Sequence, residues 1–140
     1  MSVVVVDTSG LLAALDADEA EHAAAKKAVD SAAVIVLSPF VLAELDYLVM
    51  RRVGVHAQLA LLAQVADRAY DLATFTHDDI AAMHALCRRF GDQEIGVTDA
   101  SVAMLADRHA TDAVLTLDER HFRVLRRANG TTFRLLPRDG

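Results

Sequence analysis

Short apolar runs alternate along the chain with longer segments in which apolar residues recur at helical spacing. Runs such as Val3–Val6 and Val34–Leu37 are continuously apolar, which is typical of strands in a parallel sheet that is covered on both faces. The predicted strands are Val3–Val6, Val34–Leu37, Tyr70–Ala73, Ala113–Leu117 and Thr132–Leu136. The pattern therefore predicts a central, mainly parallel sheet of about five strands.

Helical patterns fill the segments between these strands. After Asp7-Thr8-Ser9-Gly10 a helix is predicted through Leu15, followed by Glu19–Asp30, Pro39–Arg52, Val55–Ala69, Thr76–Phe90, Thr98–His109 and Glu119–Arg127. Ser38-Pro39 is a helix-start signal, because serine caps free N–H groups and proline suits the first helical position. Alternating strands and helices imply right-handed crossovers between parallel strands. The predicted fold is a single three-layer α/β/α domain over residues 1–140.

The apolar content of 54% is that of a globular protein rather than of a membrane protein. The longest uninterrupted apolar run, Ala32–Leu37, has six residues, which is far too short to span a bilayer. A strand pattern begins directly after Met1-Ser2, so no signal peptide is expected. The single cysteine, Cys87, excludes an internal disulfide and a multi-cysteine zinc site, which favours the reducing cytoplasm.

The net charge of −6 is unevenly distributed along the chain. Residues 119–140 carry six arginines and two acids, whereas acids outnumber basic residues in residues 1–118. An acidic body argues against a protein that coats DNA through a broad positive face. It still permits an enzyme of nucleic acid whose acidic site is neutralised by a metal ion.

Acidic residues occur where the predicted sheet would present its carboxyl edge. Asp7 and Asp118 follow strands, and Asp99 opens a helix, so all three are expected at the edge where ligands of parallel sheets gather. Glu44 lies on an apolar stripe of its helix, but Asp46 has similar neighbours and periodicity does not choose between them. Taken alone, Asp7 and Asp118 are also explained as helix caps, Asp99 as a first-turn acid, and Glu44 as a partly solvated helix residue.

Several carboxylates in one cleft repel one another, by roughly 4 kcal/mol for a pair about 4 Å apart at an effective dielectric near 20. Such a cluster either takes up protons or binds a cation. Oxygen ligands without Cys or His select hard ions, Mg²⁺ or Mn²⁺. Ions of this kind bind phosphate oxygens and activate water for in-line attack on a phosphodiester.

The acidic motifs, taken in order, resemble those of the PIN-domain ribonucleases, and most closely those of the VapC-type toxins of bacterial toxin–antitoxin pairs. The matching segments are Asp7-Thr8-Ser9, Glu44 within SPFVLAEL, Asp99-Ala100-Ser101-Val102-Ala103, and Thr116-Leu117-Asp118 followed by Phe122. The resemblance covers nearly the whole chain. It implies a PIN fold and an Mg²⁺- or Mn²⁺-dependent endoribonuclease whose catalytic and metal-binding residues are Asp7, Glu44, Asp99 and Asp118. It therefore selects Glu44 over Asp46.

The resemblance also implies supporting residues and partners. Hydroxyls at Thr8, Ser9 and Thr116 would support the acids or the attacking water. Asp92 matches an acid that some members carry just before the third motif, and it is a candidate for a further metal ligand. Members of this toxin class usually form homodimers that cut RNA. They are held inactive by a cognate VapB-type antitoxin whose C-terminal segment covers the active site.

Basic residues and histidines add candidates of a different kind. The four arginines that follow Asp118 are the candidates for contact with the RNA backbone: Arg120, Arg123, Arg126 and Arg127. Arg51-Arg52 is explained by the helix dipole alone. The six histidines lack metal-binding spacing, and His121, three residues after Asp118, is interpreted as structural in preference to substrate-facing.

Other functions stay open from the sequence. The chain could be a non-catalytic PIN-fold interaction module, or a PIN nuclease that acts in RNA processing rather than as a toxin. Haloacid-dehalogenase-like phosphatases fit poorly because Ser9 stands where they need a second aspartate. Receiver domains fit poorly because no lysine follows Lys27.

Overall fold

The computed structural model describes residues 2–140, and within them the strands form one five-stranded sheet. The strands are β1 (Val3–Val6), β2 (Val34–Leu37), β3 (Asp71–Leu72), β4 (Ala113–Leu115) and β5 (Arg134–Leu136). Their order across the sheet is β3-β2-β1-β4-β5, and every neighbouring pair is parallel. The predicted five-stranded parallel sheet is confirmed.

Helices fill the connections and cover the two faces of the sheet. They are α1 (Thr8–Leu15), α2 (His22–Ser31), α3 (Pro39–Arg52), α4 (Val55–Ala66), α5 (His77–Arg89), α6 (Val97–Arg108) and the single turn α7 (Glu119–Phe122). A short 3₁₀ turn, Gly91–Gln93, precedes α6. The predicted three-layer α/β/α architecture is confirmed. No helix within residues 2–140 is both long enough and apolar enough to cross a membrane.

The centre of the sheet is the hydrophobic core. Val5 and Val6 of β1 are fully buried, as are their register partners Val114 and Leu115 of β4. Burial on both faces explains why these strands are apolar without alternation. Fully burying each such side chain contributes about 1.5–3 kcal/mol, so the central strands are rigid supports for the residues that follow them.

Gly10 allows α1 to approach β4 at its carboxyl end. A Cβ atom at this position would lie 2.2 Å from the carbonyl oxygen of Leu115, so no larger residue fits without backbone movement. The backbone N–H of Asp7 donates to that same carbonyl oxygen at 2.9 Å. The start of α1 is therefore fixed directly against the segment that follows β4.

Two predicted helices have different bounds in the structure. The helix predicted over Glu19–Asp30 begins only at His22, because the Asp16 carboxylate accepts a hydrogen bond from the Asp18 N–H and closes a turn there. The helix predicted over Val55–Ala69 ends at Ala66, since Arg68 adopts a left-handed conformation with φ 67°.

The basic helix predicted over Glu119–Arg127 is wrong in its extent, because α7 ends at Phe122. The Arg126 guanidinium donates to the carbonyl oxygens of residues 123–125 at 2.7–3.0 Å, which occupies acceptors that a continuing helix would use. Three predicted strands are also longer than the observed ones: Tyr70–Ala73, Ala113–Leu117 and Thr132–Leu136.

Candidate active site

A cleft of about 590 Å³ opens at the carboxyl edge of the sheet. It lies where the chain order reverses, with β2 on one side of β1 and β4 on the other, which is the usual ligand position in open parallel sheets. All four predicted acids line this cleft, contributed by the end of β1, by α3, by α6 and by the loop after β4: Asp7, Glu44, Asp99 and Asp118. The fold thus brings together acids that are far apart in sequence.

Asp7 is buried, with 5% of its surface exposed, and its carboxylate is held by hydroxyl groups. Thr116 Oγ1 donates to Asp7 Oδ2 at 2.8 Å, and Ser9 Oγ donates to the same oxygen at 3.4 Å. The N–H groups of Leu117 and Asp118 donate in turn to Ser9 Oγ and Thr116 Oγ1, both at 2.9 Å. These contacts fix the orientation of Asp7 relative to the loop after β4.

Asp7 stands at the N-cap position of α1, but its side chain makes no capping hydrogen bond to the helix. Burial, opposed by the hydrogen bond from Thr116 and reinforced by the charges of Asp99 and Asp118, raises the pKa of Asp7 to about 6. A buried carboxylate that resists ionisation in this way gains from a cation placed beside it. The cap interpretation is therefore wrong for Asp7.

Asp99 lies in the first turn of α6 and is 15% exposed. Burial raises the pKa of its carboxyl group, His121 opposes that rise, and the charges of Asp118 and Glu44 add to it. The helix itself is anchored by a buried hydroxyl pair, because Ser101 Oγ lies 2.7 Å from Ser38 Oγ at the start of α3. This pair ties the two helices that carry Asp99 and Glu44.

The structure separates Glu44 from Asp46. Glu44 lines the cleft and is exposed to it, and its charge acts on Asp99. Asp46 lies on another side of α3, where its Oδ1 atom accepts a 2.8 Å hydrogen bond from Gln58 on α4. Of these two acids, which periodicity does not distinguish, Glu44 is therefore the one that lies in the cleft with the other acids.

Asp118 caps α7 and faces the cleft with the same carboxylate. Its Oδ1 atom accepts a 3.2 Å hydrogen bond from the His121 N–H, so the cap interpretation holds for this residue. Its Oδ2 atom lies 3.0 Å from His121 Nδ1, and Asp99 Oδ2 lies 3.1 Å from the same nitrogen. Asp99, Asp118 and His121 are close enough together to share one metal ion.

The residues of this cleft fit a divalent cation. Carboxylate oxygens are the donors that Mg²⁺ and Mn²⁺ prefer. Thr8 Oγ1, beside Asp7, is buried and has no hydrogen-bond partner among residues 2–140, although such a group normally has one. The raised pKa values of Asp7 and Asp99 and the unpaired hydroxyl of Thr8 are features expected of a site that binds a cation.

Asp92 is not among the residues that line the cleft. It lies exposed in the 3₁₀ turn, whereas Glu94 just after it lines the cleft. Glu94 adopts a left-handed conformation with φ 57°, and its carboxylate lies 3.6 Å from Arg120 across the cleft entrance. Sequence reasoning missed Glu94, since no pattern marks a left-handed glutamate.

The four C-terminal arginines mostly contact other protein groups. Arg123 forms a two-pronged pair with Asp139, Arg126 binds backbone carbonyls, and Arg127 lies 3.6 Å from Asp107. Arg52, at the C-terminal end of α3, instead lines the cleft with an exposed side chain, and no ion pair involves it within residues 2–140. Its position at a helix end, where the dipole already explains a cation, concealed it in the sequence.

Comparisons with known proteins agree with this geometry. The family model described as PIN domain matches residues 4–127. Ribonuclease VapC26 of Mycobacterium tuberculosis (strain ATCC 25618 / H37Rv) is 46% identical over 135 residues, covering 96% of this chain and all of that protein. The crystal structure of Mycobacterium tuberculosis VapC20, described as a sarcin-ricin loop cleaving toxin, superposes with a TM-score of 0.75 at 26% identity. That match covers 82% of this chain and 89% of VapC20.

A family model that spans most of the chain, and a relative of this identity over its full length, define the class. The chain belongs to the PIN-domain family and, within it, to the VapC group. The resemblance noted from the acidic motifs is confirmed.

Proposed function

We propose that this protein is a divalent-metal-dependent endoribonuclease that acts as the toxin of a VapBC-type toxin–antitoxin pair. The observation that carries the proposal is the convergence of the four acids Asp7, Glu44, Asp99 and Asp118 in one cleft. The relatives add support, since one is named a ribonuclease and the other a toxin that cleaves RNA. An interaction module without catalysis would have no need to hold buried acids together against their repulsion.

The acids and hydroxyls have separable roles in the proposed reaction. A Mg²⁺ or Mn²⁺ ion, when bound, supplies charge neutralisation at the phosphate and lowers the pKa of water. Asp7, Asp99 and Asp118 would hold that ion, with Thr116 and Ser9 keeping the Asp7 carboxylate in one orientation. Glu44, which is exposed at the cleft, is placed to orient the attacking water and accept its proton.

The basic contact for the RNA backbone is assigned to Arg52. Arg52 lines the acidic cleft, whereas Arg123 and Arg126 are hydrogen-bonded to protein acceptors and Arg127 lies 3.6 Å from Asp107. Among residues 2–140, the one ion pair of Arg120 is an exposed pair with Glu94, which contributes little to stability and is open to exchange for a phosphate. A phosphodiester that enters between Arg52 and the acids would have its negative charge balanced by the guanidinium of Arg52 on one side and, when the acids hold a cation, by that cation on the other.

Partners are proposed on the same basis. We infer an RNA substrate, a VapB-type antitoxin that covers the cleft, and a homodimer acting in the cytoplasm. Apolar side chains on α3 and α4 that are half exposed, Tyr47, Val55 and Leu59, support contact with protein partners. We also infer one PIN domain over residues 1–140, because β5, beyond the matched residues 4–127, pairs with β4.

The sequencing of RNA ends tests this function. Purified protein, freed of any antitoxin, is incubated with ribosomal RNA and Mg²⁺ or Mn²⁺, because the sarcin–ricin loop is the target named for VapC20. Discrete new ends are expected with the wild-type protein and not with Asp7→Asn. Identical ends from the two proteins would show that the cutting comes from a contaminant and would remove support for the proposal.

A further inference from the structure

His121 lies between two acids of the cleft. Its Nδ1 atom is 3.1 Å from Asp99 Oδ2 and 3.0 Å from Asp118 Oδ2, and its side chain is 18% exposed. The sequence gives no indication of this arrangement, because Asp99 is on α6 and His121 is on α7. One ring nitrogen is thus close to carboxylate oxygens from two different elements of the fold.

Neither contact is aligned as a hydrogen bond. Both ring nitrogens of His121 are buried and have no hydrogen-bond partner among residues 2–140. Leaving such atoms unpaired is unfavourable, and a histidine placed to hold two carboxylates would direct an N–H at one of them. The two oxygens near Nδ1 lie within 3.1 Å of it, yet neither contact meets the geometry of a hydrogen bond.

The distances from His121 Nδ1 to the Asp99 and Asp118 oxygens match those between neighbouring ligand atoms around a single metal ion. In octahedral coordination with ligands at about 2.1 Å, adjacent donor atoms lie about 3.0 Å apart. The lone pair of each donor then points at the ion, about 45° away from the line to its neighbour. The separations of 3.0 and 3.1 Å, together with the missing hydrogen-bond alignment, match both features.

The local fold holds the ring in this position. Asp118 caps α7, and the capping bond from the His121 N–H uses Oδ1, which leaves Oδ2 facing Nδ1. Asp118 and His121 are three residues apart on one turn, a spacing that places both side chains on the same side. The acid and the imidazole therefore form a small preorganised unit opposite Asp99.

We propose that His121 Nδ1 is a ligand of the same metal ion as Asp99 and Asp118, an inference that rests on the proposed function. The site is then a mixed nitrogen–oxygen site rather than the oxygen-only set predicted from the sequence. Imidazole suits first-row transition ions better than Mg²⁺. The site accordingly prefers Mn²⁺ to Mg²⁺, and His121 sets that preference.

The competing role for His121 is that of an internal counter-ion, an imidazolium that neutralises the two carboxylates and leaves when a metal enters. The two roles differ in one observable. If His121 is a ligand, its nitrogen is bonded directly to the metal ion. If His121 is a displaced counter-ion, none of its nitrogens contacts the ion.

Pulsed electron paramagnetic resonance of Mn²⁺ bound to the protein, with no RNA present, distinguishes them. The wild-type spectrum is expected to contain the ¹⁴N modulation of a directly coordinated imidazole. His121→Gln, which retains the capping N–H, is expected to lose it, and His84→Gln, at an exposed position on α5, is expected to keep it. A wild-type spectrum without this modulation overturns the inference by itself, so that the inference stays falsifiable even where the variant folds poorly.

Calorimetric titration gives the second readout. His121→Gln is expected to weaken Mn²⁺ binding by about tenfold or more, and to weaken Mg²⁺ binding less. Replacing even a residue that only hydrogen-bonds a metal ligand lowers metal affinity about 10–100-fold. Bound Mn²⁺ without nitrogen coupling overturns the ligand role and leaves the proposed ribonuclease standing. A wild-type protein that binds no Mn²⁺ overturns both.

Discussion

Thr116 Oγ1 donates a buried 2.8 Å hydrogen bond to Asp7 Oδ2, joining residues that are 109 positions apart in the chain. The bond connects the ends of β1 and β4, the two central strands of the sheet. Through it the loop that carries Asp118 is set relative to the most deeply buried acid of the cleft. Most of the geometry of the proposed metal site depends on this contact.

Replacing Thr116 by valine keeps the shape of the side chain and removes the hydroxyl. We expect Thr116→Val to lower Mn²⁺ affinity about 10- to 100-fold, because the carboxylate loses the partner that orients it. Thr116→Ser, which retains the donor, is the matched control and should stay close to the wild type. Calorimetric titration of both variants measures the effect, and equal affinities in the two would contradict the orienting role.

Glu44 and Asp46 form a natural test pair on one helix. Glu44→Gln is expected to slow RNA cleavage about 100-fold or more, in the range of a lost general base. Asp46→Asn should leave the rate unchanged, because its oxygen can still accept from Gln58 outside the cleft. Single-turnover rates on one RNA compare the two, and a loss of the same size in both would reject the assignment to Glu44.

Arg52 and Arg51 are adjacent, but only Arg52 lines the cleft. Arg52→Gln is expected to weaken RNA binding and to lower the slope of log K against log salt by about 1, as the loss of one phosphate contact does. Arg51, whose guanidinium stacks over Tyr47 at 5.9 Å, serves as the control through Arg51→Gln. RNA-binding titrations at several salt concentrations measure both variants. Equal losses of affinity in Arg52→Gln and Arg51→Gln would show that the net positive charge matters and not a specific contact from Arg52.

The raised pKa of Asp7, about 6 against an ordinary value of 3.8, predicts how stability depends on pH in the metal-free protein. The folded state holds this proton more tightly than the unfolded state, so ionisation costs stability increasingly as pH rises from about 4 to about 6. In EDTA above pH 6, Asp7→Asn should be more stable than the wild type by up to about 3 kcal/mol, since a tenfold change in proton affinity is worth about 1.4 kcal/mol.

Urea unfolding across pH 4–8 checks the predicted sign. The difference between Asp7→Asn and the wild type should shrink as pH falls from about 6 to about 4, because the folded-state carboxyl group is protonated below pH 6 and the unfolded-state group, with its ordinary pKa of 3.8, becomes protonated near and below pH 4. Added Mn²⁺ at pH 7.5 should stabilise the wild type and not the variant. A variant less stable than the wild type at every pH would contradict the predicted cost of ionising the buried Asp7 carboxyl group.

The order of elements was predictable because the strands are short buried apolar runs, such as Val3–Val6. Element ends were less predictable, because side chains and backbone conformations outside the pattern set them. Asp16 closes a turn before α2, and Arg126 binds the carbonyl oxygens that would have extended α7. Such contacts depend on the folded chain and leave no periodic signal.

The acids at the sheet edge were predictable from topology, since Asp7 and Asp118 follow strands. Topology did not distinguish Glu44 from Asp46, because the choice depends on Gln58 of a neighbouring helix. The sequence favours a structural interpretation of His121, and the helix dipole is sufficient to explain Arg52. In both cases the missing information was which side chains from other elements lie opposite. The metal, the antitoxin and the homodimer stay predictions.

The most direct measurement of the central claim is RNA cleavage by one preparation, freed of antitoxin and assayed before EDTA, after EDTA and after Mn²⁺ is returned. Cleavage should be lost with EDTA and restored by Mn²⁺. Asp99→Asn, folded to the same extent by circular dichroism, should not cleave under any of the three conditions. Cleavage that persists in EDTA, or that Asp99→Asn retains, would contradict a metal-dependent site built on these acids.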